Sequence, residues 1–182
     1  MDIVSFLLGK NSAGGSGGDN DVSKYFNTNP SDLGNTNNAW WAFRMPTENI
    51  ADLEIVSKNG AMTNMFKGCK WSYLPKISTE EDSDFINIVG AFQECSNVKT
   101  IDISGITGVA YRLGSAFNGC TSLELIDMRG MSIGGTASYS SMLANVPTTC
   151  VIVVKDAAVK TFMNTNFSSY TNVKTAAEYE TE

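Results

Sequence analysis

The chain has 182 residues, 42% hydrophobic and 18% charged, enough apolar material for one modest domain with a buried core. Nineteen acidic against thirteen basic residues give a net charge of −6, and the basic residues are scattered singly, which excludes nucleic acid as a partner because phosphate binding needs clustered Lys and Arg. There is no histidine, so neither a Ser-His-Asp nor a Cys-His arrangement can be built from the chain, and no cofactor or metal is expected.

Residues 1–10 open with an apolar peptide, MDIVSFLLGK. As a helix it would reach only about 15 Å, short of the roughly 20 residues that cross a bilayer, so membrane insertion is not expected. Asp2 in place of a basic start and the lack of a small-residue cleavage site also argue against a signal peptide. Residues 11–20, centred on Gly14-Gly15-Ser16-Gly17-Gly18, form a flexible linker with a reach of roughly 17 Å. An apolar peptide on such a tether suits docking on a partner through Ile3, Val4, Phe6, Leu7 and Leu8. The alternative is that it folds back as a cap, although a linker only adds closure entropy to that arrangement. Gly9-Lys10-Asn11-Ser12 lacks the remainder of a phosphate loop. Residues 21–46 are expected to form an N-terminal cap segment in which Trp40, Phe43 and Met45 cover an apolar edge, the alternative being that Trp40 and Trp41 present rings that stack on sugar faces.

From residue 47 to 155 an internal repeat dominates. Cys69, Cys95 and Cys120 lie 26 and 25 residues apart, each three positions after a phenylalanine: MFKGC, AFQEC, AFNGC. Met142-Leu143-Ala144-Asn145 continues the pattern without the cysteine. SNVKTIDISG follows Cys95 and TSLELIDMRG follows Cys120, so apolar residues alternate as in a short strand. Related strand signals occur at 49–55, 74–77 and 151–154, about 25 residues apart and each too short to bury its own face, which predicts stacked units. Parallel rungs hold equivalent cysteines about 4.8 Å apart without converging vectors, so buried packing is favoured over a disulfide or a metal site. Asp102 and Asp127 fall at one position of successive units and read as surface or turn residues rather than a catalytic dyad. The run Glu80-Glu81-Asp82-Ser83-Asp84 reads as a solvated inter-strand loop. Trp71 and Tyr73, in an irregular insertion, are the candidate contact surface, with rings that can stack on sugar faces. Residues 156–182 are expected to hold a short capping helix and a tail, the helix running from Asp156, as N-cap, through Met163.

The units "AF-x-x-C-x-x-(L/V)-x-x-I-D-(I/M)" resemble BspA-like leucine-rich repeats over about residues 47–170. That resemblance implies an α/β repeat: a leucine-rich-repeat solenoid of four to five units, with a parallel strand ladder, an aromatic N-terminal cap and a C-terminal capping helix, since VIVVKDAAVKTFMNTNFSSY resembles the terminal strand and helix of such arrays. The leader MDIVSFLLGK, the Gly-rich stretch and DVSKYFN resemble the leaders of structural proteins of tailed bacteriophages. The resemblance implies a non-enzymatic virion protein, a fibre, decoration or tail component assembled in the host cytoplasm. It would be anchored to other virion proteins by the N-terminal peptide, present in several copies, and display the repeats to a host-surface protein or glycan. A bacterial cell-surface adhesin module and an intracellular protein-binding scaffold are the alternatives.

Overall fold

The computed structural model describes residues 7–11, 53–57, 60–69, 71–79 and 81–181. The cap segment at 21–46, with Trp40, Trp41 and Phe43, and the docking residues Ile3, Val4 and Phe6 lie outside the described residues.

The chain is an α/β fold with few helices, built on parallel strands in two sheets, and no sheet among the described residues closes into a barrel. β1 (Leu7–Asn11), β2 (Leu53–Ser57) and β3 (Lys76–Thr79) form a mixed sheet, with β1 antiparallel and β3 parallel to β2. The second sheet contains β5 (Thr100–Asp102), β7 (Leu125–Asp127), β9 (Val151–Val154) and β10 (Val173–Thr175), all parallel. β4 (Ser83–Asn87), β6 (Gly108–Arg112) and β8 (Met131–Ser138) form the third, also parallel. A parallel bridge between Ser78 and Gly105 links β3 to the segment after β5.

The repeated sequence has a repeated conformation. Each of the four turns takes two residues into the left-handed region, four positions apart: Asn64 and Gly68, Gly90 and Glu94, Ser115 and Gly119, Ser141 and Asn145. Each turn closes with three nested bonds to the carbonyl three residues back. In the second unit these run from Ala91 to Ile88, Gln93 to Gly90 and Cys95 to Phe92, and in the last from Met142 to Tyr139, Ala144 to Ser141 and Val146 to Leu143. Leu143 and Val146 thus occupy the positions of phenylalanine and cysteine, so the unit without a cysteine keeps the geometry. The remaining turn amides bond to the next unit: Phe66 to Ala91, Phe92 to Ala116 and Phe117 to Met142. These bonds satisfy turn donors that would otherwise be lost on burial.

One continuous core lies inside. Ile77, Ile101, Ile126 and Ile152 enter it from one line of strands, Ile86, Ala110 and Met131 from the other, and Phe66, Phe92 and Phe117 from the turns. The three phenylalanine rings stack face to face, 5.8 and 5.6 Å apart at 8° and 3°.

The strand signals at 98–103, 123–128 and 151–154 each hold a strand of the second sheet, and those at 49–55 and 74–77 overlap β2 and β3, whereas β4, β6 and β8 were not foreseen. The acidic run is a correction. Glu81 and Asp82 are exposed as expected, but Ser83 and Asp84 begin β4. Asn11, assigned to the linker, ends β1. α1 spans Ala157–Asn166, with Asp156 as N-cap accepting from the Ala158 and Val159 amides at 3.0 Å each. It buries Val159 and Met163, one helical turn apart. The tail beyond is ordered: β10 extends the second sheet, and α2 (Ala176–Tyr179) starts with a Thr175–Glu178 capping box. No helix among the described residues is long and apolar enough to cross a membrane.

Candidate functional site

The outer face of the β4-β6-β8 sheet carries the feature that folding alone does not require. β4 pairs with β6 through Ser83↔Gly108, Ile86↔Ala110 and Asn87↔Arg112. Between the first two pairs β4 holds two residues, Asp84 and Phe85, against Val109 alone. Between the second and third, β6 holds Tyr111 as the extra residue. Each is a bulge, and a bulge turns a side chain out of the inward-outward alternation. Asp84 and Phe85 are therefore both exposed, and among the described residues Phe85 is the one large hydrophobic side chain in that state, 48% accessible.

Tyr111 lies parallel to Phe85, ring centroids 5.4 Å apart at 10°. β8 makes room for it. Its pairing steps from Ala110↔Ile133 to Arg112↔Ser138, leaving Gly134 beneath the ring. A Cβ at Gly134 would lie 2.3 Å from Cε1 of Tyr111, so only glycine accommodates the ring there. The Arg112 guanidinium sits 5.9 Å from the Phe85 ring centre. A stacked pair contributes about 0.5–1.5 kcal/mol and an exposed cation–ring contact about 0.5–1 kcal/mol, enough to hold the two rings in a preferred pose.

Trp71 and Tyr73, the surface expected from sequence, also stack, at 5.7 Å and 12°. Both are half-buried, and Trp71 packs against the core. Of the docking residues, Leu7 and Leu8 lie in β1, opposite Ser57 and Val56 of β2.

All four cysteines are free and buried. Cys95 Sγ donates to the Phe66 carbonyl at 3.1 Å and Cys120 Sγ to the Phe92 carbonyl at 3.0 Å. Side-chain hydrogen bonding with Cys120 and Cys69, followed by burial, pushes the Cys95 thiol far up, and burial pushes Cys150 up to about 12. Cys95 and Cys150 are therefore not poised nucleophiles, because the thiolate is the reactive form.

Asp102 and Asp127 do pair in register, and each accepts from the amide two residues on, in a local turn. Asp127 corrects the surface reading, since it is only 8% exposed. Its carboxylate is clasped by Arg129, at 3.0 Å from Nε to each oxygen and 2.8 Å from Nη2 to Oδ2. Arg129 also reaches Glu180 and sits 5.5 Å from the centre of the Tyr179 ring, tying the C-terminal α2 to β7. Among the described residues no three His, Cys, Asp or Glu side chains form a group able to hold a metal ion.

Sequence reasoning missed Phe85, Tyr111 and Arg112. A plain alternating pattern places Val109 and Tyr111 on one face, and only the paired bulges bring Tyr111 onto Phe85. The available signal was an alignment of SDFIN with GVAYR that allows one gap in each. No protein-family model, no curated protein and no solved structure matches this chain.

Proposed function

We propose that the protein is a BspA-like leucine-rich-repeat solenoid of about 25-residue units, serving as a non-enzymatic structural component of a bacteriophage particle, a fibre, decoration or tail-associated protein. The observation that carries the solenoid reading is the agreement of four successive turns in both left-handed positions and all three nested hydrogen bonds. The virion reading rests on the resemblance of the leader. In this reading the N-terminal peptide attaches the domain to other virion proteins, several copies assemble at symmetric sites, and the outer sheet faces the host surface. Leu7 and Leu8 then share their role between pairing with β2 and presenting the residues ahead of them.

The test is co-sedimentation of the full chain, and of a version starting at Asp21, with particles of the source phage that lack this protein. Pelleting of the full chain alone supports an N-terminal virion anchor. Failure of both overturns the virion reading in favour of an adhesin module or a protein-binding scaffold.

A further inference from the structure

We infer that the exposed Phe85 ring, backed by the stacked ring of Tyr111, is a platform for one ring of a neutral, β-linked hexose in a surface glycan, with Arg112 donating hydrogen bonds to its hydroxyls. The inference deepens the display reading and rests on it, but not on attachment to a particle. Sugars of the β-gluco and β-galacto series gather axial C–H bonds on one face of the ring. That face is apolar and faintly positive, the complement of the negative face of an aromatic ring.

Three observations favour a sugar over a protein or a lipid surface. The first is size. A specific protein interface needs about 800 Å² per partner around an apolar centre, whereas a single exposed phenylalanine backed by one tyrosine offers the footprint of one or two sugar rings. The second is preparation. Two bulges, the glycine under Tyr111 and the parallel ring contact fix both rings on paired strands before any ligand arrives, so little side-chain freedom remains to be lost on binding.

The third is charge. Glu81, Asp82 and Asp84 are exposed next to Phe85 in a chain of net charge −6, which disfavours sialylated or phosphate-bearing polymers and leaves Arg112 as a hydrogen-bond donor to neutral hydroxyls. A guanidinium beside the Phe85 ring suits vicinal hydroxyls, which accept two parallel bonds.

The experiment is saturation-transfer NMR and calorimetry on the full chain with cellotetraose, chitotetraose and β-1,4-galactotetraose, alongside sialyllactose. At least one neutral probe is expected to bind and to receive saturation from aromatic protons, and sialyllactose is expected not to bind. Phe85→Ala should weaken binding about tenfold, the effect of one lost stacking contact, and Tyr111→Ala should weaken it severalfold by freeing the Phe85 ring. Arg112→Ala should weaken it severalfold, and Trp71→Ala should leave it unchanged. Phe85 is exposed, so its variant is expected to keep the far-UV spectrum of the parent; Arg112→Ala, which removes no ring, provides a second reading. Absence of binding by all three neutral probes overturns the proposal, as does wild-type affinity in Phe85→Ala. A chain that binds sugar without pelleting with particles overturns the virion reading alone, and one that pellets without binding sugar overturns this inference alone.

Discussion

The Tyr170 hydroxyl donates to the Leu143 carbonyl at 2.6 Å, in the last unit taking over the bond that the Cys95 and Cys120 thiols make to Phe66 and Phe92 in earlier ones. Leu143 occupies the phenylalanine position, and among the described residues no further turn of this motif stacks on it. The chain solves this by returning after α1 and inserting a phenol that also reaches the Val146 carbonyl at 3.0 Å. Tyr170→Phe keeps the ring and removes both bonds from a buried site, so it should destabilise the domain by about 1–3 kcal/mol in urea titration.

Phe92 is fully buried between the rings of Phe66 and Phe117. Phe92→Ala leaves a cavity that flanking units held by inter-unit hydrogen bonds cannot close, and a loss of about 3–5 kcal/mol is expected. A near-neutral urea midpoint would contradict the joint packing of the turns.

The turns and one line of strands were legible because their side chains are demanded by position. A phenylalanine and a small apolar thiol recur where each turn enters the core, and Ile101 and Ile126 pair directly. β4, β6 and β8 were not legible because bulges break the period of two, leaving Asp84 and Phe85 both outside. β10 lies beyond a helix, where Val173-Lys174-Thr175 has no counterpart of the turn motif ahead of it. Asp127 resembles Asp102 in sequence and differs in burial because Arg129 follows it where Ser104 follows Asp102. The contact surface went unseen for the same reason as the second strand line, since a bulge is a relation between two strands and not a local pattern.

Arg129 links two partners of unequal weight. Its bond to Glu180 is made at a side chain 65% exposed, so Glu180→Gln should change stability by less than about 1 kcal/mol. Arg129→Met leaves the Asp127 carboxylate shielded and unpaired. A loss of about 2–3 kcal/mol is expected, below the range for a fully buried pair because Arg129 still meets solvent. Limited proteolysis should then cut first within 176–181, where α2 has lost its tie to β7.

Alkaline pH should unfold the domain through its buried acids. Burial raises Cys150 from 9.0 to about 12, and Cys95 and Tyr170 are also raised. A group whose folded pKa lies above its unfolded value holds its proton more tightly when folded. Its stabilisation is complete below pH 9 and declines as pH climbs toward 12. The urea midpoint should stay level up to that lower bound and fall above it, and Cys150→Ala should make the fall shallower.

Glu94 takes the left-handed conformation at φ 63°, where Gly68 and Gly119 stand in neighbouring units. It is exposed, and its carboxylate accepts a hydrogen bond from the Gln93 side chain at 3.4 Å. Relief of the Cβ clash is worth about 1–2 kcal/mol, while glycine adds freedom to the unfolded chain, so Glu94→Gly should gain a net of about 0.5–1 kcal/mol. Asn145→Gly should gain less, since asparagine tolerates this region better. A loss in Glu94→Gly would place the stabilising role in the carboxylate instead.

Removal of residues 1–20 tests how far the leader belongs to the fold. Among the described residues the apolar core begins at Met62, and the buried phenylalanines and cysteines lie beyond it. The truncated chain should therefore keep its far-UV spectrum and cooperative melting. It loses β1, however, and β2 becomes an open strand edge whose unpaired groups invite association between chains. The expected outcome is a modest fall in melting temperature together with concentration-dependent self-association in sedimentation velocity, suppressed by adding back a peptide of residues 1–11. Collapse of the cooperative transition would mean that the leader is part of the folding unit, and the idea of a tethered docking peptide would then be lost.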